Sequence, residues 1–212
     1  MKNLSVSLVV ITLLLFGINS VLAQDKAEKP TFKEGDSWQF NTTRSKIAST
    51  AQNLGITQLD YTQGKVKAFS VEGSDKSEIN LVPGDSTSQA LLARLGLSDE
   101  LQTLRFPLSV GQKWDFTYET RAPGVKNPTR RQVEINVNGV EQVTTPAGTF
   151  KAFKLVREET WMLTRGRQGS ERRNMTATYY YSPDTKSIIK STNIDPEDNP
   201  VTTELIKFTP GK

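Results

Sequence analysis

The sequence predicts a mainly β protein, with one curved and mostly antiparallel sheet or open barrel and a short helical insertion near residues 86–104. Apolar and polar residues alternate along many segments, as in Lys113–Thr120, where Trp114, Phe116 and Tyr118 share one face. Turn-forming pairs that contain Gly, Pro or Asn separate these segments. Many strands with one apolar face must close on a core or a ligand, and this predicts strong curvature.

In the first half of the chain, the alternation predicts strands at residues 36–44, 56–63, 65–72 and 77–82. The pair Gln63-Gly64 is typical of a hairpin turn. The second and third of these strands should therefore pair with each other.

One stretch has a helical pattern instead. Ser86 is placed to cap a helix that carries Leu91, Leu92 and Leu95. After Gly96, Ser98 could cap a second helical turn that ends near residue 104. We expect a short helical pair that covers one face or end of the sheet.

The second half is richer in strand patterns. Asn138-Gly139 predicts a two-residue hairpin turn, because both residues tolerate positive φ. Pro146 and Gly148 predict another turn, since proline removes a hydrogen-bond donor and glycine permits positive φ. The strands expected here are residues 113–120, 132–138, 140–145, 149–158 continuing to 161–164, 174–182, 187–192 and 202–208.

The first 23 residues have the pattern of a secretory signal peptide. Lys2 precedes an apolar run from Leu4 to Phe16, and Val21-Leu22-Ala23 fits a cleavage site. A retained membrane anchor is the alternative. We expect residues 24–212 to form one exported β domain that does not span a membrane, periplasmic or extracellular. It would comprise a first strand group (24–85), the helical insertion (86–104) and a second strand group (105–212).

The composition excludes several chemistries. The 212 residues include no cysteine and no histidine. Disulfides, thiol nucleophiles, Cys or His metal ligands and an imidazole base are therefore impossible. Removing the one basic residue of the predicted signal peptide from 27 Lys+Arg leaves 26 against 23 Asp+Glu, so the remaining charge of +3 does not indicate nucleic acid. We expect no cofactor and no metal.

Two segments share the pattern Gly-x-x-Trp-x-Phe, one with Trp38 and one with Trp114. Each Trp could simply start a strand and fill the core. Alternatively, both could line one aromatic cavity. The residues that would then contact an apolar or amphiphilic ligand are Trp38, Trp114, Trp161, Tyr179 and Tyr181.

From Phe106 onward the chain resembles a family of exported bacterial proteins of unknown function. The residues that carry the resemblance are 106–114, 143–154 with Thr-Pro-Ala-Gly-Thr-Phe, 180–184 with Tyr-Ser-Pro, and 188–190. The resemblance implies an antiparallel β domain in the cell envelope and transfers no catalytic residue. A looser likeness to the open half-barrels of periplasmic lipoprotein carriers is architectural only.

Residues 121–173 are rich in Lys and Arg. Four arginines flank one predicted turn, and such charges commonly protect a sheet edge against pairing with other strands. The alternative is a site for an anionic envelope component, because the planar guanidinium donates two parallel hydrogen bonds to phosphate or carboxylate. The residues of this candidate site are Arg165, Arg167, Arg172 and Arg173.

Asp and Glu carboxylates are the remaining candidates for catalytic or metal-binding residues. A pair among Asp115, Glu119, Glu134 and Glu141 could hydrolyse glycosides if one carboxyl group were buried. The acidic loop 193–199 does not match the calcium-loop pattern.

The sequence favours a non-enzymatic envelope protein that binds an apolar or amphiphilic ligand, such as a lipid, on the concave face of its sheet. A structural or protein-interaction module with a fully packed core is the alternative, and a carboxylate-dependent hydrolase is a third. The oligomeric state is left open.

Overall fold

The computed structural model describes residues 25–45, 51–120, 128–164, 169–195 and 198–212. The predicted signal peptide lies outside these ranges. The elements within them, in chain order, are β1 (Lys26–Ala27), β2 (Ser37–Arg44), β3 (Gln52–Thr62), β4 (Lys65–Glu72), β5 (Asp75–Ile79), α1 (Ser86–Ala93), β6 (Leu108–Ser109), β7 (Lys113–Thr120), β8 (Thr129–Thr145), β9 (Gly148–Thr164), β10 (Ser170–Ser182), β11 (Ser187–Ile194) and β12 (Pro200–Thr209).

Ten strands form one antiparallel sheet in the described part of the chain, in the order β5-β4-β3-β2-β12-β11-β10-β9-β8-β7. Its end strands, β5 and β7, do not pair with each other, so the sheet is open. A second, two-stranded sheet pairs β1 with β6. The predicted fold class is confirmed. Because β12 pairs with β2, the two predicted strand groups belong to one continuous sheet.

The two ends of the sheet differ in how the strands are connected. At one end, here called the turn end, β3–β4 and β8–β9 are joined by two-residue turns, and Pro183–Lys186 joins β10 to β11. The opposite loop end carries longer connections, between β2 and β3, β7 and β8, β9 and β10, and β11 and β12. The hairpin predicted at Gln63-Gly64 is confirmed, with φ of 51° and 72°.

The hairpin predicted at Asn138-Gly139 is wrong. β8 runs without interruption from Thr129 to Thr145 and pairs with β9 on both sides of this dipeptide. The register shifts between Val137 and Gly139, which makes Asn138 the extra residue of a β-bulge. The bulge keeps Val137 and Val140 on one face, opposite Leu155 and Phe153 respectively. Asn-Gly suits both a tight turn and a bulge, so the dipeptide alone does not separate them.

The helical prediction holds only for its first part. α1 ends at Ala93, and residues 97–104 are not helical. The cap is Asp85 rather than Ser86, because the Asp85 carboxylate accepts from Ser88 N at 2.8 Å. Ser98 Oγ does accept from Leu101 N at 2.9 Å, but no helix follows this turn. In this segment Leu95 and Leu104 are buried in the core, and the helix does not continue.

Cross-strand register defines one face of the sheet, here called the inner face, because directly paired residues project to the same side. One row of paired residues crosses six strands on this face, from β8 to β2: Val137, Leu155, Tyr179, Ser191, Thr203 and Thr42.

The core consists of two clusters. The β8–β9 hairpin contributes to both, since neighbouring residues Ala152 and Phe153 lie on opposite faces of β9 and belong to different clusters. The hairpin is therefore buried on both sides. The first cluster contains Ala27, Leu104, Leu108, Trp114, Phe116, Val133, Ile135, Val137, Phe153, Leu155, Tyr181 and Ile188. The second contains Trp38, Phe40, Leu59, Ala68, Leu95, Val143, Ala152, Ile189 and Leu205.

The two Gly-x-x-Trp-x-Phe segments adopt the same backbone arrangement. Gly35 and Gly111 have φ of 88° and 85°, a region that favours glycine. Gly35 N donates to Tyr61 O at 3.0 Å, and Gly111 N donates to Val137 O at 2.8 Å. Return bonds run from Tyr61 N and Val137 N to the carbonyl that follows each glycine, at 2.8 and 2.9 Å. The shared pattern is thus a device that starts a strand and orients a buried Trp.

The side chain that follows each glycine completes the turn. Asp36 Oδ2 accepts from Lys33 N at 2.8 Å, and Gln112 Oε1 accepts from Ser109 N at 3.1 Å. Asp36 goes further, since it also binds Lys186 Nζ at 2.7 Å and Gly211 N at 2.7 Å. A single buried carboxylate thereby ties β2, the β10–β11 turn and the carboxyl-terminal segment together.

Asp36 should make stability depend on pH. Burial alone would raise the pKa of Asp36, but hydrogen bonds from Gly211, Lys186 and Lys33 and the Lys186 charge lower it below its usual 3.8. A lowered folded-state pKa contributes stability that is present above the unfolded value and lost as pH falls through the folded value. We expect Asp36→Asn to lower the free energy of unfolding by about 3 kcal/mol at pH 7.

Urea unfolding at pH 7 and pH 3 measures this effect, and the difference between wild type and variant should shrink at the lower pH. Asp25→Asn is the control, because the Asp25–Lys151 pair is about half exposed. A variant difference that is equal at the two pH values would contradict the role assigned to Asp36.

Candidate functional site

A buried carboxylate, Glu159, binds two guanidinium groups on the inner face. Arg157 Nη2 lies 2.6 Å from Glu159 Oε2, and Arg131 Nη1 lies 2.5 Å from Oε1. The Tyr118 hydroxyl donates to the same Oε1 at 3.0 Å and accepts from Arg157 Nη2 at 3.1 Å. The side chains of Arg157 and Glu159 are 5% and 0% exposed. These four residues, here called the Glu159 cluster, hold two positive charges and one negative charge.

Strand alternation explains why these polar side chains share the inner face. On β9, Leu155, Arg157, Glu159 and Trp161 occupy alternate positions, so they project to the same side. Register with β8 places Arg131 opposite Trp161. On this face of β9, Phe153 and Leu155 are apolar, and the charged residues Arg157 and Glu159 follow toward the loop end.

Aromatic rings flank both guanidinium groups. The Arg131 guanidinium lies 4.2 Å from the Trp161 ring centroid, and that of Arg157 lies 5.5 Å from Tyr118 and 5.8 Å from Phe116. Such cation–π contacts stabilise a guanidinium that has lost water. The rings and Glu159 together hold Arg157 in a charged state within the core.

Electrostatics in this region favour charged arginine and neutral tyrosine. Burial opposes the charge of Arg157, but Tyr179, Glu159 and Tyr118 outweigh it and raise the pKa of Arg157. Burial, offset in part by Arg157, raises the pKa of Tyr118 to about 12. Tyr118 is therefore a hydrogen-bond donor at neutral pH, and a role as a base is disfavoured.

A third guanidinium, that of Arg94, has no counter-ion. Arg94 follows α1 directly, and its carbonyl accepts from Ile188 N at 2.8 Å. Its guanidinium carbon lies 5.1 Å from the Phe40 ring centroid. The side chain forms no ion pair or hydrogen bond with any residue in the described ranges. Arg94 is half-buried, and burial lowers its pKa to about 10, so the group is partly desolvated but charged at neutral pH.

Tyr179 links this free guanidinium to the Glu159 cluster. Its hydroxyl offsets part of the lowering of the Arg94 pKa by burial and contributes to the raised pKa of Arg157. The hydroxyl makes no hydrogen bond with another residue in the described part of the chain. Tyr179 is half-buried, and it lies in the inner-face row beside Ser191 and Thr203. This row continues to Thr42, whose Oγ1 is 3.0 Å from that of Thr203.

The inner face thus carries a band of hydroxyl groups with an unpaired guanidinium on one flank and a paired one on the other. Across Arg94, Arg131, Arg157 and Glu159 the formal charge is +2. A guanidinium without a carboxylate partner can bind an external carboxylate or phosphate through two parallel hydrogen bonds. The chemistry offered is anion binding.

The predicted aromatic ligand residues are not brought to one open space. Trp38 and Trp114 are 0% and 4% exposed and belong to different core clusters. Each indole N–H is satisfied internally, Trp38 by Thr185 O at 2.6 Å and Trp114 by Gln102 O at 2.8 Å. Their shared role is therefore structural packing.

The other three predicted aromatics lie apart from these two. Tyr181 is buried in the first cluster against Phe106, with ring centroids 5.3 Å apart, and burial raises its pKa. Trp161 is half-buried beside Arg131 near the loop end. Of the five, Tyr179 is the one that acts electrostatically on Arg94.

The predicted arginine site is described only in part, because Arg165 and Arg167 lie outside the described residues. Arg172 is exposed, whereas Arg173 is half-buried and pairs with Glu171 at 3.2 Å. As neighbours on β10 they project to opposite faces of the sheet. The structure therefore does not join Arg172 and Arg173 in one binding site.

The carboxylates considered for hydrolysis, Asp115, Glu119, Glu134 and Glu141, are all exposed. None has the buried environment that a raised pKa requires. In the acidic loop, Asp195 pairs with Arg44 at 2.9 Å and accepts from Asn199 N at 2.8 Å. Over the described ranges, no group of three or more acidic side chains is placed to hold a metal ion.

No helix in the described part of the chain is long and apolar enough to cross a membrane.

Sequence reasoning missed Arg94, Arg157 and Glu159 as site residues. The signal for the last two was present, since both occupy the apolar parity of β9 between Leu155 and Trp161. A charged pair at inward positions indicates a buried ion pair. Arg94 had no such signal, because its position depends on where α1 ends and how the following segment packs.

No family model matches this chain, and no curated protein matches it. Among solved structures, the hypothetical lipoprotein YmcC from Escherichia coli aligns at 13% identity and a TM-score of 0.47, covering 82% of this chain and 85% of that chain. A lipoprotein candidate from Parabacteroides distasonis aligns at 12% identity and a TM-score of 0.40, covering 88% and 100%.

A candidate exported protein with a YmcC-like fold, from Bacteroides fragilis, aligns at 13% identity and a TM-score of 0.37, covering 86% of this chain and 99% of that chain. These matches are distant in both sequence and geometry, and none of them assigns a site residue to this chain.

Glu159 should matter for stability because its removal leaves the buried guanidinium of Arg157 and the half-buried one of Arg131 without this counter-ion. We expect Glu159→Gln to lower the free energy of unfolding by about 3 kcal/mol. Urea unfolding at pH 7 measures this. Glu171→Gln is the matched control, since its pair with Arg173 is half-exposed and should contribute less than about 1 kcal/mol. Equal effects of the two substitutions would refute the assigned role of Glu159.

Proposed function

We propose that this chain is an exported, non-enzymatic binding protein for an amphiphilic anion. The anionic head would pair with Arg94 beside the Tyr179 hydroxyl. The apolar part would lie against half-buried side chains that pack on the first cluster, such as Phe106. The protein would act in the periplasm or outside the cell.

The observation that carries this proposal is the unpaired guanidinium of Arg94 stacked on Phe40. A desolvated charge without a partner is unfavourable, and proteins normally pair or expose such groups. A ligand that supplies the missing negative charge would remove this penalty on binding. The hydroxyl of Tyr179 would donate a further hydrogen bond to the same anion.

Apolar surroundings favour an amphiphile over a small inorganic anion. The Arg94 guanidinium contacts an aromatic ring of the second cluster, and Tyr179 packs against the first cluster. A ligand head bound here would therefore have core side chains on both sides. Transfer of an alkyl chain from water to such a surface contributes about 0.8 kcal/mol per buried methylene group.

The alternative is a structural or protein-interaction module with a solid core. Complete burial of Trp38 and the internal hydrogen bonds of both core tryptophans favour it. The two functions differ in one measurable property, since only the binding protein takes up an amphiphile with defined stoichiometry.

Removing the charge of Arg94 should weaken the binding of anionic amphiphiles selectively. We expect Arg94→Met to raise the dissociation constant for dodecyl phosphate about ten- to a hundredfold, the range for losing a hydrogen bond to a charged group. Binding of dodecyl maltoside, which is neutral, should change much less. Isothermal titration calorimetry below the critical micelle concentrations measures both.

Arg105→Met is the matched control, because Arg105 lies in the same connection between α1 and β6 but is exposed. It should bind both amphiphiles like the wild type. If wild-type protein binds neither amphiphile, the solid-core module replaces the binding protein. If Arg94→Met and Arg105→Met behave alike, the anion does not bind at Arg94.

Export predicts a processed amino terminus. The apolar run and the Val-Leu-Ala end of the leader favour cleavage after Ala23. Protein purified from the envelope of its own cells should begin at Gln24 on amino-terminal sequencing. An intact Met1 in a cytosolic fraction would refute export.

A further inference from the structure

The open sheet ends in two edge strands that differ in length and charge. β5 has five residues and carries charges on both of its faces, Asp75 on one and Lys76 and Glu78 on the other. Short edge strands and charged ones resist pairing with another chain. β7 has eight residues, and its inner-face residues Trp114 and Phe116 are buried in the first cluster. β7 is therefore the edge that suits the addition of another strand.

The backbone of β7 directs half of its polar groups outward, away from β8. On β8, Val137 O accepts from Gly111 N at 2.8 Å, and Val137 N donates to Gln112 O at 2.9 Å. Because bonding direction alternates along an antiparallel strand, β7 residues of even number bond to β8 and those of odd number direct their N–H and C=O groups outward. The outward residues are Lys113, Asp115, Thr117 and Glu119. In the described ranges, no turn or loop bonds to these outward backbone groups.

The outward residues also carry exposed side chains of opposite charge. Lys113 lies at one end of this edge and Glu119 at the other, with Asp115 between them. Neither Lys113 nor Glu119 forms an ion pair within the described part of the chain. A strand that fits this edge must therefore present a negative charge opposite Lys113 and a positive charge opposite Glu119. An antiparallel copy of β7 meets both requirements at once.

Charge selects one register for such a copy. Pairing about a twofold axis can be centred on residue 115, 116 or 117 with outward groups facing outward groups. An axis at Asp115 places this residue opposite its own copy, and an axis at Thr117 places Asp115 opposite the partner's Glu119. Like charges directly opposite each other are destabilising. An axis at Phe116 instead places Lys113 opposite the partner's Glu119. Asp115 then faces the partner's Thr117, and all four outward residues of each copy are paired.

We propose that this chain forms a twofold dimer in which β7 pairs with β7 of a second copy, with Phe116 on the axis. Two backbone hydrogen bonds form at each of the four outward residue pairs. Two symmetric ion pairs between Lys113 and the partner's Glu119 lie on the outer face. On the inner face the two Phe116 side chains meet, and Trp114 lies opposite the partner's Tyr118. Aromatic cross-strand pairs of this kind add stability to the joined sheet.

Sedimentation velocity over a wide range of protein concentration tests the dimer. Wild-type protein should show a monomer–dimer equilibrium without larger species, because pairing uses the β7 edge of both copies and the assembly closes. We expect Lys113→Glu to weaken the dimer by about tenfold or more, since it opposes two negative charges at both symmetric positions. Lys76→Glu reverses an exposed charge on the other edge strand, and this matched control should dimerise like the wild type. Circular dichroism establishes that each variant is folded.

Charge exchange distinguishes the proposed pairing from a general effect of net charge. Glu119→Lys should weaken the dimer as Lys113→Glu does. An equimolar mixture of these two variants should form a heterodimer, because each facing pair then has opposite charges. A mixture that stays monomeric overturns the proposal, and so does wild-type protein that is monomeric at every concentration. Equal effects of Lys113→Glu and Lys76→Glu would also overturn it.

Introduced cysteines report the register, because the chain has no cysteine of its own. Facing residues of a hydrogen-bonded pair have Cα atoms about 5.5 Å apart, within the range of a disulfide, whereas diagonal neighbours lie about 7–8 Å apart. An oxidised mixture of Asp115→Cys and Thr117→Cys should therefore form a crosslinked dimer, and neither variant should do so alone. Crosslinking of one variant alone would place the axis at residue 115 or 117. That result, or a mixture without crosslinks, overturns the proposed register.

The dimer does not depend on the amphiphile site. Arg94→Met should dimerise like the wild type, and Lys113→Glu should bind monomeric dodecyl phosphate with unchanged affinity. Failure of either proposal is thus separable from failure of the other.

Discussion

The ion pairs and hydrogen bonds of the Glu159 carboxylate are the interactions on which the inner face depends. It holds guanidinium groups from β8 and β9 and a phenol from β7, so three strands converge on one buried negative charge. One carboxylate balances only one of the two arginines. The same face also contains Arg94, which has no ion-pair partner among the described residues. An interior with excess positive charge is unusual for a protein whose core only needs to be stable.

The turn end and the loop end of the sheet contain different kinds of side-chain interaction. At the turn end, two copies of one glycine turn orient buried tryptophans, and Asp36 ties in the carboxyl-terminal segment. Tight turns and buried hydrogen bonds make this end rigid. The Glu159 cluster and the half-buried Trp161 lie toward the other end. Arg94, the residue proposed to bind an anion, lies on the turn-end side instead, because its carbonyl accepts from Ile188 N just after the β10–β11 turn.

Local sequence patterns predicted correctly those elements that do not depend on contacts with distant parts of the chain. Alternation placed β2, β4 and β7 to within a residue of their observed bounds, and Gln63-Gly64 identified its hairpin. Asn138-Gly139 misled because a bulge and a turn use the same dipeptide, and only pairing with β9 decides between them. The second helical turn after Gly96 failed for a related reason, since burial of Leu104 outweighs helix propensity there.

The sequence by itself determined the absence of imidazole and thiol chemistry and the predominance of strands. Those properties depend on residue type or on spacing of two to four residues. Tertiary structure alone decided that Arg94 meets Phe40 and acts electrostatically with Tyr179, and that Arg157 shares Glu159 with Arg131. These neighbours are far apart in the chain or on different strands. Their contacts depend on register, on bulges and on the end of one short helix, which no local pattern specifies.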